Sequence, residues 1–205
     1  MSDKLKIKRS KNMDQLMRQL TDGTFRQMTG DKVPSLTKPQ AAALLGNYIH
    51  ETGSPDLSNL DAVEKGSGAG RGPAQYTGPR RQAYDNYMRG KNPNDPKTQL
   101  QYMADEYVGR HDPNGASLIG YTRALENLPK DAPAATKHLL MNYFAPADPG
   151  ASRDQRVRNA QAVQQLYPDK PKPKLNQKPA PQNGIGGLLR NALSIMGQVG
   201  RFPQL

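Results

Sequence analysis

The sequence predicts a mainly α domain carrying basic flanks. Three observations support this: a strongly signalled core helix at 37–52, a succession of shorter capped helices after Gly78, and no long alternating strand anywhere. The 205 residues suffice for one domain with a core, plus tails. Hydrophobic residues make up 35% and Trp is absent, so the core is modest; 19 Gly and 18 Pro assign much of the chain to loops and linkers.

The elements follow in order. In NMDQLMRQL (12–20), Met13, Leu16, Met17 and Leu20 share one helical face, and Asn12 with Gln15 has capping-box spacing. This short amphipathic helix, docked on the domain or on a partner, sits within a basic N-terminal arm, 1–36, whose residues 21–36 read as a turn-rich connection. Thr37-Lys38-Pro39-Gln40 opens the core helix with a second capping box and a proline in the first turn. Ala41, Leu44, Leu45, Tyr48 and Ile49 then recur at helical spacing, and Gly53 with Ser54-Pro55 stops the helix. Residues 54–78 are glycine-rich and polar, suited to loops and a small irregular β lobe.

Beyond this lobe, Gly78-Pro79 opens a helix ending at Arg89 before Gly90, and Asp95-Pro96 opens one through Val108 with Leu100, Met103 and Tyr107 inward. Ser117–Leu128 and Asp131–Phe144 are two more. Ser152 and Gln155 form a capping box for a last domain helix, with Val157, Ala160, Val163 and Leu166 inward. Residues 168–183 are a Pro/Lys-rich linker, and 184–205 carry a C-terminal amphipathic docking helix.

Composition narrows the chemistry. With no Cys and three scattered His (His50, His111, His138), disulfides, thiolate sites and a zinc site are not expected, nor is any cofactor. No apolar run is long enough to span a bilayer, and the basic N-terminus lacks the apolar stretch of a secretory signal. The flanks (1–11 and 168–205) carry +9 of the +11 net charge, leaving 35–167 at +2. The domain is thus a poor nucleic-acid groove, whereas the basic ends suit contact with DNA, anionic cell wall or an acidic partner.

Chemistry concentrates in Thr37–Arg81. Glu51 follows Tyr48 and Ile49 at the end of a buried helix and faces a polar loop. Such a carboxyl can stay protonated near neutral pH and serve as a general acid. A helix-terminal glutamate bonded to arginine or backbone is the ordinary alternative, and spacing alone leaves both open.

The segment GNYIHETG resembles the G-N-x-x-x-E-S-G segment of the phage tail lysozyme family. GRGPAQYTGPRR further along resembles that family's G-x-G-L-A-Q-W-T-G-x-R-R. TQLQYMADEYVG and TKHLLMNYFAPADPGASRDQRVRNA resemble its later blocks, so the likeness spans about 37–167, in order. It implies an α+β lysozyme-like domain that cleaves the β-1,4 glycosidic bond of peptidoglycan as a muramidase. Glu51 becomes the general acid, and Gln75 and Tyr76 the sugar-cleft residues, Tyr76 standing where the family has Trp. Tyr48 and Tyr143 join them as candidate substrate-binding residues. Phe144-Ala145 replace a charged pair common in the family.

An inverting hydrolase also needs a base across the cleft. Glu64 is the first choice and Asp61 the second. Lytic transglycosylases of related fold need none, because a sugar hydroxyl closes an anhydro ring, so both outcomes stay open. The implied setting is the virion, in a phage tail or ejection apparatus assisting genome delivery. Peptidoglycan is the implied substrate and other tail proteins the partners of the N- and C-terminal segments. A structural tail component retaining a lysozyme-like domain with little activity is the alternative.

Overall fold

A computed structural model of the chain describes residues 6–111, 123–146 and 148–169. The first half of the helix expected at 117–128, the linker from 170 onward and the helix expected at 184–205 lie outside the described residues. The described part is mainly α, as the sequence predicts.

Helix α1 (Lys11–Thr21) buries Met13, Leu16, Met17 and Leu20, the expected face. Its cap is Ser10, not Asn12: Ser10 Oγ accepts the Met13 backbone N–H at 3.1 Å. The Asn12 amide is spent elsewhere, donating to the Leu57 carbonyl at 3.0 Å. The arm is therefore stitched to the loop after the core helix, and α1 joins the same core. The connection expected at 21–36 holds one short helix, α2 (Thr24–Met28), which buries Phe25.

Helix α3 (Lys38–Thr52) is the central element. Gln40 Oε1 accepts the Thr37 backbone N–H at 2.9 Å, closing the predicted capping-box spacing. Gly53 ends the helix in the left-handed region at φ 63°. Every residue from Ala41 to Ile49 is buried, because α1 and two later helices pack around it. Gly46 is where one of them comes closest: a Cβ added there would stand 2.5 Å from the Ala160 backbone nitrogen.

The glycine-rich lobe is anchored by the fully buried Leu57 and Leu60. Its β content is two isolated antiparallel bridges, Val63 to Arg71 and Arg71 to Tyr76. Arg71 staples it to α4 (Gly78–Met88), donating to Asp61 at 2.8 Å and to Asp85 at 2.9 Å. Helix α5 (Pro96–Tyr107) follows, capped by Asp95 as expected, then a 3₁₀ turn at Arg123–Leu125.

The helix expected at Asp131–Phe144 changes winding part-way. Helix α6 (Ala132–Leu139) runs into a π segment, Leu140–Phe144, closed where the Ala145 N–H bonds the Leu140 carbonyl at 2.8 Å. Helix α7 (Pro149–Leu166) begins three residues before the predicted Ser152, capped by Asp148 with Pro149 in the first turn. Its buried face is Arg156, Asn159, Ala160 and Val163, so Val157 is only half-buried. Two polar residues face inward because α3 supplies their partners: Arg156 bonds Asn47 Oδ1 at 3.1 Å, and Asn159 the Gly46 carbonyl at 3.4 Å.

Candidate active site

The end of α3, the glycine-rich lobe and the end of the π segment enclose a cavity of about 590 Å³. His50–Gly53 form one wall, Val63–Lys65 with Ala74, Gln75 and Thr77 another, and Phe144–Pro146 the third. Backbone strain concentrates here. Four non-glycine residues among those described have positive φ, and two of them, Gln75 (47°) and Ala145 (41°), line this cavity. Such conformations persist only where surroundings over-determine them, and they cluster at functional sites.

Glu51 reaches the cavity from the last turn of α3, its side chain 14% exposed. Burial pushes its carboxyl above the ordinary value, and the nearby Glu64 charge adds to this. Arg156 opposes both from α7, its Nη1 lying 2.7 Å from Glu51 Oε1, but burial prevails. His50, beside it, is held down to about 4 by burial and by the Arg156 charge, so it is neutral near pH 7.

Glu64 lines the same cavity from the exposed lobe. Its Oε2 accepts from the Ser67 hydroxyl and from the Gly70 backbone N–H at 3.2 Å, which orients the carboxylate. Asp61, the other candidate base, is turned away from the cavity and held by Arg71 and by the Tyr84 hydroxyl at 3.0 Å. It holds the lobe together instead.

Gln75 also lines the cavity. Its amide nitrogen donates to the Ala62 and Gly72 carbonyls, both at 3.0 Å, while its buried Oε1 has no hydrogen-bond partner among the described residues. Gly70 packs close beside it: a Cβ there would lie 2.6 Å from that oxygen, so the Gln75 amide would have to shift.

The three tyrosines do not stand where the sequence placed them. Tyr76 is 1% exposed, stacked on Tyr84 with ring centroids 4.9 Å apart, its hydroxyl 3.3 Å from that of Tyr143. Tyr143 is buried and donates to Glu106 Oε2 at 3.2 Å; Tyr48 is buried with its hydroxyl on Met103 Sδ at 3.1 Å. None lines the cavity. In a chain with no Trp and three Phe, these rings supply core volume, and their hydroxyls find internal partners. The basic pair after the second motif serves packing: Arg80 grips buried Glu106 at 2.7 and 3.0 Å, and Arg81 bonds Asp85 at 2.6 Å.

Arg156 is the site residue that sequence reasoning missed. The available signal was the Asn47/Glu51 pair, four residues apart on one helix face, two acceptors that need a shared buried donor. The Phe144-Ala145 departure from the family pattern does not remove that loop from the site, since both residues line the cavity.

The class so defined is a small, mainly α, lysozyme-like domain whose core helix ends in a carboxyl at a polar cavity. The phage tail lysozyme family model matches residues 31–167, and the chain belongs to that family. No curated protein and no solved structure matches the chain. No helix among the described residues is long and apolar enough to cross a membrane.

Proposed function

We propose that the protein is a virion-associated muramidase of a phage tail or ejection apparatus, cutting the β-1,4 glycosidic bond of host peptidoglycan to assist genome delivery. The observation that carries this is the meeting of Glu51 and Glu64 in one cavity, with the Glu51 carboxyl pushed up by burial. A protonated Glu51 donates its proton to the bridging oxygen as the bond from that oxygen to the anomeric carbon breaks. In the hydrolytic route Glu64 takes a proton from the water that adds to this carbon. In the transglycosylase route a hydroxyl of the same sugar adds instead, and its proton passes to the Glu51 carboxylate. Gln75 Oε1, without a hydrogen-bond partner among the described residues, accepts a hydrogen bond from a sugar N–H or hydroxyl. With Tyr76 buried, the cavity holds sugar by polar edges and by the apolar Val63 and Pro146, not by ring stacking.

The N- and C-terminal segments are assigned to contacts with other tail proteins, their basic charge adding affinity for DNA or anionic wall polymer. The Glu51–Arg156 ion pair also suits a structural tail component that keeps the domain without turnover. One experiment separates the two. The purified protein should clear a suspension of cell walls and Glu51→Gln should not; a wild type that leaves the walls turbid favours the structural component.

A further inference from the structure

We propose that Arg156, anchored by Asn47 and Ser152, is the positioning residue of Glu51, fixing its side chain at the cavity wall and receiving the charge that develops on it as the proton leaves. This rests on the proposed role of Glu51 as the acid.

The geometry makes the guanidinium a preformed element. Arg156 is 2% exposed, a cost that only well-made bonds offset. Its Nε donates to Ser152 Oγ at 2.9 Å, one turn back on α7. Its Nη1 donates to Asn47 Oδ1 at 3.1 Å across the helix interface, and the same nitrogen lies 2.7 Å from Glu51 Oε1. Asn47 is itself fully buried and fixed, its amide donating to the Ala43 carbonyl at 2.9 Å. The guanidinium also lies over the Phe144 ring, 5.6 Å from its centroid. Asn47, Ser152 and Phe144 therefore set where Nη1 stands, independently of Glu51, and Glu51 is held by a donor already in place. An acid that loses a proton becomes an anion, and a donor fixed in advance stabilises that anion without reorganisation. The other ionisable groups at this cavity are His50 on α3 and Glu64 and Lys65 on the lobe; the end of the π segment and the two residues after it present only Phe144, Ala145 and Pro146.

The test combines three variants with two readings. Carbon NMR follows the Glu51 carboxyl through a pH titration, its signal identified by its loss in E51Q; steady-state rates on purified peptidoglycan give kcat and KM. In R156Q the Glu51 midpoint should move up, because the cation that opposes burial is gone, and kcat should fall by on the order of 10- to 100-fold with KM little changed. R156K retains the charge but cannot span Asn47 and Ser152 together, so its midpoint should stay nearer the wild type while kcat remains low. N47A removes an anchor and no charge, and kcat should fall with the midpoint nearly unmoved. Should R156Q fail to fold, R156K and N47A still decide. Variants that lower only the melting temperature, with kcat per folded molecule unchanged, overturn the proposal, as does a Glu51 midpoint unmoved in folded R156Q. Failure of the acid assignment is read separately, as E51Q matching wild-type activity.

Discussion

Replacing Gly46 by Ala tests the contact on which the site geometry depends. A methyl at this position would lie 2.5 Å from the Ala160 nitrogen, 2.7 Å from its Cα and 2.9 Å from its Cβ. Two of these atoms are backbone of α7, so no rotamer change relieves the clash. Restoring ordinary carbon contacts of about 3.5 Å requires α3 and α7 to part by on the order of 1 Å. Overpacking of this kind costs roughly 1–3 kcal/mol, and a backbone-limited case belongs at the upper end. Replacing glycine inside a helix returns about 1 kcal/mol. The net loss is about 2 kcal/mol, which for a chain of this size lowers Tm by roughly 4–8 °C. Circular dichroism melts of the purified full-length chain measure it. Because α3 carries Glu51 and Asn47 while α7 carries Arg156, activity per folded molecule should fall as well. A Gly46→Ala protein melting at or above the wild-type temperature would refute the close-approach argument.

Two further outcomes follow from buried charge. Glu106→Gln removes a fully buried carboxylate gripped by Arg80 Nε and Nη2 and by the Tyr143 hydroxyl, and should cost about 3–5 kcal/mol in urea unfolding; a loss below about 1 kcal/mol contradicts the buried-pair reading. His50 titrates near 4 in the fold against an ordinary 6.5. Its depressed folded value means that the fold favours the neutral ring, so this contribution is full above pH 6.5 and is lost as pH falls toward 4. His50→Gln should therefore flatten the decline in melting temperature over that window relative to the wild type, and parallel declines would show that the ring is not the cause.

Where local chemistry decides, the sequence was sufficient. Thr37 with Gln40 opened α3, Gly53 closed it, and Asp95-Pro96 opened α5, all by bonds within one turn. The errors arose where a local signal competed with another or with a distant partner. Ser152 and Gln155 have capping-box spacing, yet Asp148-Pro149 starts α7 earlier, and Ser152 is used by Arg156 instead. Asn12 has capping-box spacing, but Ser10 Oγ caps the helix two residues earlier. Glu51 and Gln75 were legible because they lie within the family motifs, and Glu64 because it and Asp61 are the only acids between Asp56 and Asp85. Tyr48, Tyr76 and Tyr143 were not, since a tyrosine ring suits a sugar face and a core equally, and only the packing shows that these three fill the core. Arg156, more than 100 residues from Glu51 in sequence, depends on the α3–α7 contact, and the hint to it lies on α3, in the Asn47/Glu51 pair, not around Arg156 itself.

The most direct measurement is mass spectrometry of the soluble products released from purified peptidoglycan. Glycosidic cleavage with Glu51 as the acid predicts disaccharide-peptide fragments from the wild type and essentially none from Glu51→Gln at equal folded concentration. Fragments with free reducing ends, suppressed in Glu64→Gln, mark hydrolysis with Glu64 as base; anhydro ends mark the transglycosylase route. Equal fragment yields from the wild type and Glu51→Gln would contradict the assignment of Glu51.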